Sequence, residues 1–215
     1  MARPVSELLK NFGKMFEVVK VLVNAVLDMG GNDEDILRIL KDKKLATEIA
    51  KQIMAERGIT IPDGCEVLSV DYALKLIDAI TAAAFDWKYD DIVEKNFPNQ
   101  AHETGEQNLQ VKLYHFGKDM SSKDVVSAMD KDGFRPATLR ELLAYAVKNP
   151  DEQRKYAIMG LGSIWGHGDD RRAPYLYRNG DERKLDLFWW SNSWNGNYRF
   201  LAVRNSLWKQ PGFEM

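Results

Sequence analysis

The sequence predicts an α+β protein in two parts. Residues 1–60 form a helical region, and residues 61–215 form a single domain that combines two helices with short mixed and antiparallel strands. Three observations carry this. Apolar side chains recur at helical spacing through the first sixty residues. From Cys65 onward the chain changes to short alternating runs, separated by turn residues and helix-start signals. Five of the six tryptophans (Trp165, Trp189, Trp190, Trp194 and Trp208) fall in the last 51 residues, and the first 86 residues contain none. The two ends of the chain are built for different work.

In the helical region, Val5, Leu8, Phe12, Phe16, Val19, Val23 and Val26 mark one face of an amphipathic helix over 5–28, which Gly30-Gly31 ends. Asn32 or Asp33 caps the next helix, with Glu34 and Asp35 at its positive end. Ile36, Leu40, Leu45, Ile49 and Ile53 continue the pattern to about Arg57, with a break expected at 41–44. Gly58 and the turn Ile61-Pro62-Asp63-Gly64 close the region.

In the second part, 66–71 (EVLSVD) reads as a strand, 73–85 as a helix, 87–98 as a mixed segment, 99–108 as a polar loop and 109–116 (LQVKLYHF) as a strand. Ser121 and Asp124 open a helix carrying Val125, Val126 and Met129. Thr138 and Glu141 form a capping box for another helix, whose Leu139, Leu142, Leu143 and Ala146 face the core and which Asn149-Pro150 stops. Residues 157–164 read as a strand in which Gly160 and Gly162 allow close packing, and 174–177 as a short edge strand. The run 184–188 puts Lys184, Asp186 and Phe188 on one face and Leu185 and Leu187 on the other. The run 198–204 (YRFLAVR) is apolar on both faces except for its arginines, so it reads as a central, buried strand.

Charge and composition narrow the functional classes. The net charge of −2 gives no global attraction for a polyanion. Residues 1–60 hold ten Lys/Arg against nine Asp/Glu, so they lack the basic face of a DNA reader. A helical hairpin that packs on the rest of the chain or on a second copy is the first reading. A nucleic-acid-associated role for these helices is kept as an alternative. The single cysteine, Cys65, excludes an intramolecular disulfide and a cysteine-based zinc site. The start MARPVSE has no apolar h-region, and the run 18–27 is broken by Lys20 and Asn24, too short and polar to span a bilayer. The expectation is a cytoplasmic chain without a membrane partner.

The segment 187–205, LFWWSNSWNGNYRFLAVRN, alternates large aromatics with Ser191, Asn192, Ser193, Asn195, Gly196 and Asn197. Rigid aromatics supply contact area at low entropic cost, and Asn, Ser and Gly supply adaptable hydrogen bonds. Each tryptophan taken singly reads as core. The pattern taken whole reads as a ligand-binding surface for a protein or a glycan.

Two motifs flank this segment. GFRPATLRELLAYA at 133–146 resembles the second-helix signature of C-type lectin folds of the formylglycine-generating-enzyme type, and YRFLAVR at 198–204 resembles the closing strand of the same fold. Together with Pro174-Tyr175-Leu176 they make 115–215 similar to the variable proteins of diversity-generating retroelements, and to uncharacterised proteins of candidate-phylum bacteria. Residues 66–114 follow loosely, and 1–60 lie outside the resemblance. It implies a C-type lectin-like domain displaying a variable surface. Retroelement mutagenesis replaces adenines, so Asn codons become many residues but never Trp, Lys, Glu, Gln or Met. The resemblance therefore implies that Trp189, Trp190 and Trp194 are fixed framework. Tyr177, Arg178, Asn179, Asp181, Asp186, Phe188, Ser191, Asn192, Ser193, Asn195 and Asn197 are the candidate contact residues. Lys184, in one row with Asp186 and Phe188, departs from that rule.

The same resemblance brings enzymes into view. The formylglycine-generating chemistry needs paired cysteines for copper, and the chain has only Cys65. The sulfoxide-synthase chemistry needs three histidines on iron; His102, His115 and His167 are not spaced for it. Trp194-Asn195-Gly196 lacks the Asp of the lectin Trp-Asn-Asp run, so calcium is not expected. The acids Asp169, Asp170, Asp181, Glu182 and Asp186 leave a carboxylate-based carbohydrate-active enzyme as a further alternative. The expectation is a binding protein with no catalytic residue, metal or cofactor, assembled as a homo-oligomer through its N-terminal helices.

Overall fold

The computed structural model describes residues 12–56 and 61–205. Contacts divide the chain into two units, Met1–Ile61 and Pro62–Met215. The expected positions Val5, Leu8, Arg57 and Gly58 lie outside the described residues.

The first unit holds α1 (Phe12–Asp28), α2 (Asp33–Lys41) and α3 (Lys43–Glu56). Asn32 is the cap of α2. Its side-chain oxygen accepts from the Glu34 and Asp35 amides at 2.8 and 3.3 Å, and the Asp35 carboxylate accepts from the Asn32 amide at 3.0 Å. Asp42 divides α2 from α3 by accepting from the Lys44 and Leu45 amides at 2.9 and 3.1 Å. Among the described side chains of this unit none is buried. Phe16, Val19 and Leu22 of α1, and Met29 just after it, are all exposed.

The second unit is mixed α+β. Its elements are β1 (Cys65–Asp71), α4 (Leu76–Ala83), β2 (Trp87–Lys88), β3 (Glu106–Tyr114), β4 (Met120–Ser121), α5 (Ser122–Lys131), β5 (Phe134–Pro136), α6 (Leu139–Lys148), α7 (Glu152–Lys155), β6 (Ile158–Met159), β7 (Arg172–Asn179), β8 (Glu182–Trp189), β9 (Ser193–Trp194) and β10 (Arg199–Arg204). The main sheet runs β1-β3-β10-β6-β7-β8-β2, with β5 pairing on β10. A second, two-stranded sheet joins β4 to β9. The strand β10 is central, and its Phe200, Leu201, Ala202 and Val203 are buried, as a strand apolar on both faces must be.

Two apolar clusters sandwich the sheet. One contains Leu76 and Ile80 of α4 and Leu139, Leu142 and Leu143 of α6, packed on Leu176, Leu185 and Leu201. The other contains Val125 and Met129 of α5 with Tyr175, Trp194 and Phe200. The helix α6 is fixed by Glu141, whose side chain is fully buried. That carboxylate accepts from Arg135 at 2.6 and 2.9 Å, from the Tyr72 hydroxyl at 2.6 Å and from the Thr138 amide at 2.7 Å. The Thr138 hydroxyl itself donates to Glu103 at 2.5 Å.

Several expected boundaries move. The strand at 174–177 is not an edge: β7 runs between β6 and β8. Pro174 is tolerated there because β6 ends at Met159, so no partner strand runs past it on that side; its carbonyl accepts from Gly160 at 2.9 Å. The strand expected over 157–164 shrinks to β6. The Gly162 amide instead bonds the Ala137 carbonyl, in a contact so close that a Cβ would lie 2.5 Å from the Pro136 oxygen. The helix expected over 73–85 is confined to α4, which stops at Ala84 in the left-handed conformation (φ 51°). No helix among the described residues is long and apolar enough to cross a membrane.

Candidate functional site

The β7–β8 register builds the site. Tyr175 lies opposite Asp186, Tyr177 opposite Lys184, Asn179 opposite Glu182, and Ala173 opposite Phe188. These pairs share one face of the hairpin, because side chains alternate along a strand. On the other face Leu176, Leu185 and Leu187 enter the core beneath α4 and α6. The first face is covered only in part: Ala173 and Tyr175 are buried in the second cluster, whereas Tyr177, Lys184, Asp186 and Phe188 are half-buried. Lys184, Asp186 and Phe188 do share one row, as the alternation predicts.

The face is a ladder of aromatic rings. Tyr175 and Tyr177 stack with centroids 4.9 Å apart. Phe188 stands edge-on to Tyr175 at 5.6 Å, Trp194 lies 5.6 Å from Phe188, and Tyr198 lies 5.2 Å from Trp194. One oxygen of Asp186 sits 3.5 Å from both tyrosine hydroxyls, and the other accepts from the Leu187 amide at 2.7 Å. Burial, and then the charge of Asp186, push the Tyr175 hydroxyl well above its ordinary range, so it remains a neutral donor. Beside them Lys184 pairs with Glu182 at 3.0 Å and holds its ammonium 5.5 Å from the Trp87 ring. Trp87 lies in register with Lys184 across β2 and is 42% exposed, so the face continues onto the edge strand.

The loop after β8 is pinned from beneath. Trp194 is fully buried. Its indole nitrogen donates to the Ser122 hydroxyl at 2.8 Å, and that hydroxyl donates to the Trp190 carbonyl at 2.6 Å. The pairs Met120–Trp194 and Ser121–Ser193 tie β9 to β4. His115 Nε2 lies 2.8 Å from the Gly196 carbonyl. Around this anchor Ser191, Ser193, Asn195 and Asn197 are exposed and Asn192 is half-buried. The Asn195 side chain accepts from the Asn197 amide at 2.9 Å, a local turn that leaves its amide group outward.

The eleven expected contact residues do not form one surface. Tyr177, Asp186 and Phe188 lie half-buried on the aromatic face, with exposed Asn179 at its far end. Ser191, Asn192, Ser193, Asn195 and Asn197 form the pinned loop. Arg178 faces the opposite side, across from Arg183. Asp181 lies in the hairpin turn, where its carbonyl accepts from Arg154 at 2.6 Å. A strand of eight residues, about 25 Å, separates that turn from the loop. Of the three tryptophans expected as framework, Trp194 is buried and Trp190 half-buried, but Trp189 is 45% exposed. It lies on the far face of β8, with the Arg172 guanidinium 4.3 Å from its ring. Tyr175, Tyr198 and Trp87 belong to the face and were not anticipated. The Tyr175/Tyr177 spacing in an alternating strand was a usable signal for the first. Nothing local marks Trp87, which reaches the hairpin from 97 positions earlier in the chain.

The alternative carboxylates are dispersed. Asp170 pairs with Arg172 at 3.0 Å, Glu182 with Lys184, and Asp186 sits between the tyrosines. Among the described residues no group of three or more His, Cys, Asp or Glu could hold a metal ion. Burial pushes the Cys65 thiol up, against the opposing pull of Lys112 and Arg204. No family model, curated protein or solved structure matches the chain.

Proposed function

We propose that the chain is a ligand-binding protein that presents a substitution-tolerant surface on a C-type lectin-like domain, with a protein or glycan as partner. The surface consists of the aromatic face around Tyr177, Asp186 and Phe188 and the loop from Ser191 to Asn197. One observation carries the reading: along this segment outward polar residues alternate with an anchor, Trp194, that is fully buried and hydrogen-bonded. Such a loop accepts new side chains without losing its shape. The lectin-like reading is supported by the central place of β10 and by the motif at 133–146, which delivers Arg135 and Glu141 to the buried network that docks α6. The retroelement part of the proposal rests on the resemblance alone.

The test is a displayed library randomised at Asp186, Ser191, Asn192, Ser193, Asn195 and Asn197 and panned against one purified protein. Most members should remain folded, and target-specific clones should emerge. A library that is mostly unfolded overturns the reading. A template repeat and a reverse-transcriptase gene beside this gene are expected, and finding neither removes the retroelement part alone. The first unit serves as tether or assembly region, a role suggested by its exposed Phe16, Val19 and Leu22. Sedimentation of the intact chain as a single copy would exclude assembly.

A further inference from the structure

The strongest unassigned feature lies away from that surface, beside the start of α4. Here a cleft of about 460 Å³ opens between α4 and the segment 92–94, and Arg140 lines it. Ile77, Ile80, Ile92 and Val93 form its apolar wall. The volume lies in the range of small-molecule sites.

Arg140 is the unusual component. Its side chain is only 5% exposed. One guanidinium nitrogen donates to the Leu74 carbonyl at 2.6 Å and another to Glu94 at 2.5 Å, while its Nε is buried without a partner. A buried donor of this kind is costly unless an acceptor reaches it. Glu94 meets a neighbouring nitrogen of the same guanidinium and leaves Nε unmet. Its carboxylate bonds Arg140 with one oxygen and the Leu76 amide, at the start of α4, with the other at 2.9 Å. Even so, the cleft's charge is unbalanced. Lys75 and Lys88 also line it, and among the described residues neither ammonium is ion-paired. Three cations therefore face one carboxylate.

We propose that this cleft binds a small amphiphilic carboxylic acid, with its hydrocarbon body against Ile77, Ile80, Ile92 and Val93 and its carboxylate toward Arg140, Lys75 and Lys88. The apolar wall takes the chain, and the surplus positive charge selects the anion over the neutral alcohol of the same length. The site is independent of the β7–β8 surface.

Calorimetric titration of the intact chain with octanoate, and separately with octan-1-ol, tests this. Octanoate should bind saturably at one site, with octan-1-ol weaker by at least about tenfold. Ile77 is exposed, so Ile77→Trp should fill the cleft, leave Tm unchanged and weaken octanoate by at least about tenfold. If that variant does not fold, Lys75→Glu with Lys88→Glu asks the same question at the rim and should give a similar loss. Glu94→Gln removes the competing internal charge and should tighten octanoate. The absence of saturable octanoate binding overturns the proposal. Equal affinity for octan-1-ol does so too, as does undiminished binding to the folded Ile77→Trp or double-lysine variant.

Discussion

Trp194 and the polar residues around it have opposite roles although they are neighbours in sequence. Trp194 buries its whole side chain and satisfies its one donor on Ser122. Truncation to Ala would open a cavity and take from the Ser122 hydroxyl the donor it accepts from, so Trp194→Ala should cost about 3–5 kcal/mol in urea unfolding. Replacing Asn192, Ser193, Asn195 and Asn197 together with Ala removes one local turn bond, that between Asn195 and the Asn197 amide. The quadruple variant should melt within a few degrees of the parent, on the order of 1 kcal/mol. If the quadruple variant collapses while Trp194→Ala is tolerated, the division between framework and surface is wrong. Glu141 belongs with Trp194. Its four hydrogen bonds come from Thr138 of its own capping box, from Arg135 six residues before it and from Tyr72, 69 positions earlier, so a helix-opening motif also serves as a buried hub.

At the scale of elements, Arg183 decides how two helices end. It is 7% exposed, and its guanidinium donates to the Ala83 carbonyl at 2.8 Å and to the Ala146 carbonyl at 3.1 Å. Those carbonyls belong to the last turns of α4 and α6, where the helix dipoles favour a cation. Burial lowers the Arg183 pKa, yet the guanidinium keeps its charge across the ordinary pH range. Each buried carbonyl left without a donor costs about 1–3 kcal/mol, so Arg183→Leu should lose about 2–5 kcal/mol in chemical denaturation. Arg183→Lys should rescue little, because a single ammonium cannot serve two helix ends. A lysine variant as stable as the parent would refute the shared-cap role. Elements with local signals were legible from the sequence: the Asn32 cap, the Ser121 and Thr138 helix starts, the alternation over 184–188 and the two-faced apolar run of β10. What stayed hidden depends on partners far along the chain. The two-residue strands β2, β4, β6 and β9 exist only through pairing, as when Trp87 meets Lys184. The candidate site was legible in the same measure. The loop was visible as a composition, whereas Tyr175 and Trp87 joined it only through register.

For the whole molecule, the buried tyrosines set an alkaline limit. Tyr72, Tyr114, Tyr145 and Tyr175 all have hydroxyls pushed above the ordinary value of about 10, and burial is the largest cause in each. A neighbouring carboxylate adds to it: Glu141 for Tyr72, Asp132 for Tyr114, Glu66 for Tyr145 and Asp186 for Tyr175. Below the unfolded value both states hold these protons, and stability does not depend on pH through them. Above it the unfolded chain releases protons that the folded chain keeps. The unfolded state then binds fewer protons, and stability falls with rising pH. The four residues sit on both sides of the sheet, so the loss should be global and cooperative. As pH rises from 9 to 13, the phenolate absorbance of the buried set should therefore appear only in step with loss of far-ultraviolet circular dichroism. Tyr175→Phe tests the link to the binding face. It removes one of the deferred ionisations while keeping the ring that stacks on Tyr177, so alkaline unfolding should shift to higher pH. A single smooth phenolate titration that precedes unfolding would show that these hydroxyls are open to water, and that the aromatic face is looser than its stacked rings imply.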